Sequence, residues 1–139
     1  MMIQYKETKL IDDKDLRQLY ESQSWKSYLD KFDDLSILLQ NCQIVYSAWD
    51  NETLVGLVRT VGDGVSIQYV QDLLVLPKYQ KLGIGGELMK HVFKKSEHIR
   101  QLVLITDAGV DTEYVRNWYE KQGLVQLEKA DIKGFLRLK

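Results

Sequence analysis

The spacing of hydrophobic residues predicts helices in the first part of the chain. Leu16, Leu19 and Tyr20 lie at helical spacing and form an apolar stripe. Asp12 or Asp13 can begin this helix, because a short acidic side chain accepts hydrogen bonds from the first helical amides. A second helix is predicted near residues 35–41. A short alternating strand at residues 2–6 precedes both helices.

The hydrophobic pattern then changes to that of strands. Two apolar runs, residues 44–49 and 54–61, are joined by the polar sequence DNET at residues 50–53, which is typical of a hairpin loop. A third strand is predicted over residues 66–76. Pro77 ends it, because proline cannot donate to a ladder.

Helices and strands alternate in the second half. A helix with one apolar face is predicted over residues 83–95, and another begins at Asp111 or Thr112 and ends at Gly123. The remaining predicted elements are strands at residues 102–106, 124–127 and 134–138. The predicted order is βααβββαβαββ, an α/β (α+β) fold with a mixed, mostly antiparallel sheet flanked by helices.

Composition narrows the class of protein. The chain has 139 residues, 45% hydrophobic and 28% charged, which predicts one globular domain over residues 1–139. It contains no apolar run of about 18 residues and no apolar leader, so we expect neither a membrane partner nor a secretory signal. The net charge of −1 gives no basic field for nucleic acid. Cys42, the single cysteine, excludes an internal disulfide and a multi-cysteine zinc site, and fits a cytoplasmic location with no metal.

A glycine-rich loop carries the clearest chemical signal. The sequence QKLGIGG at residues 80–86 follows a predicted strand and opens a predicted helix. The first amides of a helix have no internal partner, and the helix dipole adds partial positive charge there. Glycines let a phosphate approach the backbone, and Lys78 and Lys81 add formal charge. The pattern therefore predicts an anion site, although glycines that only turn the strand into the helix are an alternative.

Two common phosphate motifs do not match this loop. A P-loop needs Gly-Lys-Ser/Thr at the helix start, and the chain has Gly-Gly-Glu at residues 85–87. The dinucleotide fingerprint needs a third glycine, and Leu88 stands at that position.

The loop resembles the acetyl-CoA-binding motif of the GNAT N-acetyltransferases. That motif has Gln or Arg, two residues, Gly, any residue, then Gly or Ala, as at residues 80–85. A second block, WYEKQGL at residues 118–124, is similar to the family's aromatic-Tyr-Glu-Lys-x-Gly-Phe segment, with Leu124 in place of phenylalanine. The resemblance is specific over residues 66–127 and topological before them.

The resemblance implies a V-shaped opening between the strand at residues 66–76 and the strand after the glycine helix. Pantetheine would lie there like an extra strand, with the pyrophosphate on the amides of the loop. The family's asparagine near the next helix is not matched, because Asp111 and Thr112 stand there. The residues that the resemblance assigns to acetyl-CoA are Leu74, Val75, Leu76, Gln80, Lys81, Leu82, Gly83, Ile84, Gly85 and Gly86.

Acyl transfer from a thioester to an amine needs a proton acceptor, a donor to the carbonyl oxygen and an acid for the thiolate. By resemblance, Tyr119 is the acid; by spacing alone it is a core aromatic. Asp72 interrupts an apolar strand, which suggests a base, although a structural aspartate and a water chain are alternatives. The amide of Leu74 or Val75 is the oxyanion donor by resemblance only.

Three residues are candidates for the acceptor side. Trp25 and Tyr28 lie three apart in a polar region, where aromatics line a ligand site or clasp the sheet. Arg59 interrupts a strand and is predicted either to bind a substrate carboxylate or to face water.

These observations predict an acetyl-CoA-dependent N-acetyltransferase that acts on a primary amine by direct attack on the thioester. The acceptor, a small molecule or a peptide, is not defined by the sequence, and a homodimer is left open. The alternative is a non-catalytic acyl-CoA-binding or sensing module.

Overall fold

The computed structural model describes residues 2–23 and 25–139, and the side chains of all of these except residues 26–28. Packing divides the chain into two compact units, Met1–Ile105 and Thr106–Lys139. The single domain over residues 1–139 stays a prediction. In the described residues, no helix is both long and apolar enough to cross a membrane.

The first unit is built on a five-stranded sheet. Its strands lie in sequence order, and each pairs antiparallel with the next except the last pair, which is parallel. This confirms the mixed, mostly antiparallel sheet. The strands are β1 (Gln4–Glu7), β2 (Ile44–Asp50), β3 (Thr53–Gly62), β4 (Ile67–Val75) and β5 (Gln101–Leu104).

Helices cover both faces of this sheet. The regular helices in the described part of this unit are α1 (Asp13–Glu21), α2 (Lys26–Lys31) and α3 (Ile84–Lys95), and α1 and α3 pack against the sheet. A Cβ added to Gly56 of β3 would lie 3.0 Å from the Ile84 side chain, so this glycine lets α3 approach one face closely. Tyr20 of α1 is fully buried, and its hydroxyl donates to Asp72 of β4. Asp72 pairs with Arg59 of β3, which points to the face opposite to that of Gly56, so α1 covers this other face.

The helix predicted near residues 35–41 is wrong. The segment Leu35–Leu39 is a 3₁₀ helix, and the regular helix α2 lies before it. Leu35 and Leu39 are both fully buried, and Leu35 and Leu38 are three residues apart, a spacing that fits a short 3₁₀ turn as well as an α-helix. The Asp13 carboxylate accepts the Leu35 amide at 2.6 Å and fixes the start of the turn.

A bulge at Gln71 divides β4 into two parts. Asp72 pairs with Arg59, and Val70 pairs with the next residue, Thr60, so Gln71 is an extra residue in its strand. Paired residues share a face, and Arg59 and Thr60 point to opposite faces. Asp72 therefore lies on the α1 face and Val70 on the α3 face, although the two are only two residues apart.

The second unit contains one regular helix, α4 (Glu113–Lys121), and 3₁₀ turns at Val110–Thr112 and Leu127–Ala130. Gly123, at a φ of 99°, ends α4 as predicted. The closing strands predicted at residues 124–127 and 134–138 are wrong, because the structure has no ladder at either place. Phe135 and Leu138 are 99% and 83% exposed, and an apolar alternation forms a strand only where a neighbouring strand supplies its hydrogen bonds.

Candidate active site

The glycine loop opens α3 with a left-handed turn. Gly83 has a φ of 85° and is the N-cap of α3, and a Cβ built on it would meet no atom within 4 Å. Glu87 is the first amide that bonds along the helix, to the Gly83 carbonyl at 3.0 Å. The amides of Ile84, Gly85 and Gly86 come before it and have no helical acceptor. The loop can therefore present three amides to an anion in open space.

Lys81 adds an unusual backbone conformation to the same loop. Its φ is 64°, in a region that non-glycine residues rarely adopt and that costs free energy. Its side chain is exposed, as is that of Leu82. Sequence reasoning assigned Lys81 to the loop for its charge, and its strained backbone gave no sequence signal.

The fit of the loop to a CoA pyrophosphate follows from this geometry. A Cβ added to Gly86, like one added to Gly83, meets nothing within 4 Å, so the cradle is open where a phosphate would lie. The Ile84 side chain is 2% exposed and packs into the core, so only its amide is available. The residues present therefore fit the group.

The edge of β4 beside the loop is open. β5 pairs with β4 only over Ile67–Val70 in the described residues, which leaves the end of β4, residues 73–75, without a register partner on that side. The Leu76 amide donates to the Val55 carbonyl of β3 at 2.9 Å. Hydrogen-bonded pairs alternate along an antiparallel ladder. The backbone N–H and C=O of Leu74 therefore also point towards β3, and those of Val75 point away from it. Of the two candidate oxyanion donors, the Val75 amide is the one on the open side.

The Val75 carbonyl lies on the same open side and has two side-chain donors. Gln80 Nε2 donates to it at 3.0 Å, and Gln23 Nε2 donates to it at 3.1 Å. Gln80 comes from the glycine loop, and Gln23 comes from the segment after α1. The sequence identified Gln80 and missed Gln23, whose only signal was its place in a polar break near Trp25.

A buried polar network lies below this edge. Asp72 Oδ2 accepts from Arg59 Nε at 2.7 Å and from the Tyr20 hydroxyl at 2.7 Å. The side chains of Arg59 and Asp72 are 8% and 2% exposed. The alternative that Arg59 faces water is therefore wrong. Tyr20 was predicted only as an apolar helix position, so its hydroxyl is a functional group that sequence reasoning missed.

Two members of the network, Tyr20 and Arg59, have shifted pKa values. Burial raises the pKa of the Tyr20 hydroxyl well above its ordinary value, and the Asp72 charge raises it further. Burial alone would lower the pKa of Arg59, but the neighbouring Asp72 charge outweighs this and the net pKa is raised. Tyr20 is therefore a neutral donor and Arg59 a permanent cation. Asp72 Oδ2 is already bonded to both groups, which favours the structural reading of Asp72 over a direct base.

The acceptor-side candidates are partly brought together. Trp25 is half-buried, and its ring lies edge-on to that of Tyr20, with centroids 6.2 Å apart. Arg59 reaches the same tyrosine through Asp72. The side chain of Tyr28 lies outside the described part of the structure.

The remaining catalytic candidate belongs to the second unit. Tyr119 is half-buried on α4, and its ring packs edge-on against Trp118 with centroids 5.2 Å apart. Near the start of α4, the Thr112 hydroxyl donates to the Gly109 carbonyl at 3.1 Å and accepts from Arg116 at 3.0 Å. Thr112 thus holds the helix entry, and Asp111 is exposed.

Comparison with known proteins decides the family. Residues 11–124 match the model of the acetyltransferase (GNAT) family. The chain belongs to this family. The resemblance drawn from the glycine loop and from residues 118–124 is confirmed, and with it the class of acetyl-CoA-dependent acetyltransferase that the family represents.

Individual relatives agree with this family. The chain is 28% identical over 125 residues to an uncharacterized ycf52-like N-acetyltransferase of Prochlorococcus marinus, a match that covers 86% of the chain and 66% of that relative. A solved GNAT-family acetyltransferase of Streptococcus pneumoniae is 33% identical, with a TM-score of 0.86 over 99% of this chain and 98% of that one. These matches confirm the GNAT fold.

A more distant GNAT structure contains a CoA derivative. The aminoglycoside acetyltransferase AAC(6')-Iy, solved with a bisubstrate analogue that joins CoA to acetylneamine, is 15% identical. Its TM-score is 0.72, over 100% of this chain and 99% of that one. At this identity the likeness extends to the fold alone.

Proposed function

We propose that the protein transfers the acetyl group of acetyl-CoA to a primary amine by direct attack on the thioester. The observation that carries this proposal is the open edge of β4 at Val75, followed along the chain by a left-handed glycine turn that opens α3. An extended amide-bearing ligand with a phosphate group fits this pair of features.

Binding uses backbone groups of the first unit. The pyrophosphate would accept hydrogen bonds from amides of Lys81 to Gly86, and pantetheine would follow Leu74 to Leu76 as an added strand. Because Val75 presents its amide to the open side, we assign the pantetheine and oxyanion contacts to Val75 rather than Leu74.

The chemistry needs three contributions from the chain. The Val75 amide donates to the carbonyl oxygen as negative charge develops on it. The Tyr119 hydroxyl donates a proton to the departing thiolate. Asp72 positions Tyr20 and Arg59, and the amine loses its proton to water, since Asp72 Oδ2 is already bonded to these two buried groups. Acetyl-CoA supplies the activated acyl group.

The acceptor side is proposed around Trp25, with Tyr28 as a further predicted contact. We assign Arg59 to the buried network instead of to a substrate carboxylate, because its guanidinium bonds to Asp72 at 2.7 Å and to the Leu38 carbonyl at 3.2 Å. The acceptor class stays a small-molecule or peptide amine. Cytoplasmic location, which the single free cysteine fits, and a homodimer stay predictions.

Thiol release from acetyl-CoA with a panel of primary amines tests the function. We expect amine-dependent release that saturates with acetyl-CoA. Tight binding of acetyl-CoA without turnover on any amine would favour a non-catalytic acyl-CoA-binding module. Absence of acetyl-CoA binding would contradict both functions.

A further inference from the structure

We infer that Gln23 is a positioning residue that couples the acceptor-side segment to the acetyl-CoA loop through the Val75 carbonyl. This inference rests on the proposed function, because it gives a role to a contact beside the proposed acetyl-CoA edge. Gln23 is half-buried and is not part of either sequence block that identified the family.

The contact joins three parts of the fold at one atom. Gln23 and Gln80 both donate to the Val75 carbonyl, at 3.1 and 3.0 Å. Val75 is the last residue of β4, Gln80 begins the glycine loop, and Gln23 follows α1. A movement of this carbonyl therefore changes the hydrogen bonds of both segments.

The Gln23 side chain is itself held in place. Its Nε2 also donates to the Ser22 hydroxyl at 3.1 Å, and that hydroxyl donates to the Leu19 carbonyl at 2.6 Å. Two residues later, Trp25 packs edge-on against Tyr20, which bonds to Asp72 of the same strand. The segment that carries the aromatic acceptor candidate is thus tied to β4 at two points, Asp72 and Val75.

This arrangement predicts that a ligand on the β4 edge is sensed by the acceptor-side segment. A strand-like ligand at Val75 restricts the motion of that residue, and the restriction passes to Gln23 through its hydrogen bond. The other connection between this segment and β4 is the buried Tyr20–Asp72 hydrogen bond, in which Gln23 takes no part. Removal of the Gln23 donor should therefore break the coupling and leave the loop site intact.

Hydrogen–deuterium exchange of the full chain with and without saturating acetyl-CoA tests the inference. In the parent we expect acetyl-CoA to slow exchange in residues 78–86 and, by about fivefold or more, in residues 20–25. In Gln23→Leu, which keeps the side-chain size, we expect protection of residues 78–86 to persist and that of residues 20–25 to fall below about twofold. The ratio is taken within each variant, so that intrinsic exchange rates cancel.

Gln23→Glu is a second variant, in case leucine alters packing, because an ionised carboxylate cannot donate to a carbonyl. Gln18→Leu, at an exposed position of α1, is the matched control and should behave like the parent. Equal protection of residues 20–25 in the parent and both Gln23 variants would overturn the inference, as would absence of that protection in the parent. If acetyl-CoA does not slow exchange at residues 78–86 in the parent, this result would instead contradict the proposed function.

Discussion

The Tyr20 hydroxyl donates to Asp72 Oδ2 at 2.7 Å, so α1 is joined to β4 by a hydrogen bond between residues 52 positions apart. The same oxygen accepts from Arg59 of β3. The two residues that looked like a helix core position and a catalytic base in the sequence form one buried unit. The α1 face of the sheet, beside the proposed site, is therefore held by polar as well as apolar contacts.

Variants of this network should separate stability from catalysis. Asp72→Asn leaves the Arg59 cation buried without its partner, so we expect it to lower the free energy of unfolding by about 3–5 kcal/mol. Tyr20→Phe removes one donor to a charged group and should cost about 1.5–3 kcal/mol. Urea unfolding without acetyl-CoA measures both. An Asp72→Asn protein with parental stability and greatly reduced turnover would restore Asp72 as a direct base.

Tyr119→Phe tests the proposed general acid. The change removes one proton donor and almost no volume, so acetyl-CoA affinity should persist and turnover should fall by roughly 10²–10⁴. The alkaline limb of the pH–rate profile should also change, because the tyrosine must be protonated to act. Single-turnover kinetics, with unfolding measured alongside, are the readout. A rate within about twofold of the parent would remove Tyr119 from the mechanism, since that is only about 0.4 kcal/mol of barrier.

Gly86→Val tests the anion cradle. The added Cβ meets no atom within 4 Å, so the fold should tolerate the change while the branched side chain blocks the phosphate. In the parent, acetyl-CoA at 100 times its dissociation constant should add about 2.7 kcal/mol to the free energy of unfolding, and NAD and ATP much less. Thermal unfolding measures this, and the stabilisation should vanish in Gly86→Val.

Lys90→Val, at an exposed position of the same helix, is the control for this experiment and should retain the stabilisation. Normal acetyl-CoA binding by Gly86→Val would show that the phosphate lies elsewhere.

The turn before β4 should make stability depend on pH. The Ser66 hydroxyl and the amides of Ser66, Val65 and Ile67 donate to Asp63 and hold the pKa of its carboxyl well below the ordinary range. A lowered folded-state pKa adds stability above the ordinary pKa of about 3.9, and this is lost as the pH falls through the folded-state value.

Asp63→Asn should therefore be less stable than the parent at pH 7, and the two proteins should converge as the pH falls below about 3.9. Urea unfolding of both proteins across this range checks the prediction. A difference in stability that is constant from pH 7 to pH 2.5 would mean that the Asp63 charge does not stabilise the turn.

The sequence predicted the parts of the molecule in which local pattern and packing agree. The strands between residues 44 and 104, the glycine turn and the start of α3 follow from alternation, Pro77 and Gly83, and all were found near the predicted positions. The second helix was misplaced because the spacing of Leu35 and Leu38 fits both an α-helix and the observed 3₁₀ helix. The closing strands failed because strand formation depends on a partner outside the segment.

The site was predicted only as far as short motifs reach. Gln80 and the loop glycines stand in one contiguous block, whereas Tyr20, Arg59 and Asp72 meet only after α1 folds onto the sheet. No spacing rule joins residues so far apart. The choice of Val75 over Leu74 depends on which pair of the β3–β4 ladder is hydrogen-bonded, and this is set by the register of the strands.

The extra residue at Gln71 has a consequence for comparing this chain with its relatives. A gap of one position there exchanges the two faces of the sheet for every side chain on one side of the bulge, even when all the aligned residue types look alike. Two relatives can then share the letters of this strand and still differ in whether their aspartate reaches the tyrosine of the first helix. Alignments of this family through β4 should be anchored on the Arg59–Asp72 pair instead of on hydrophobic similarity.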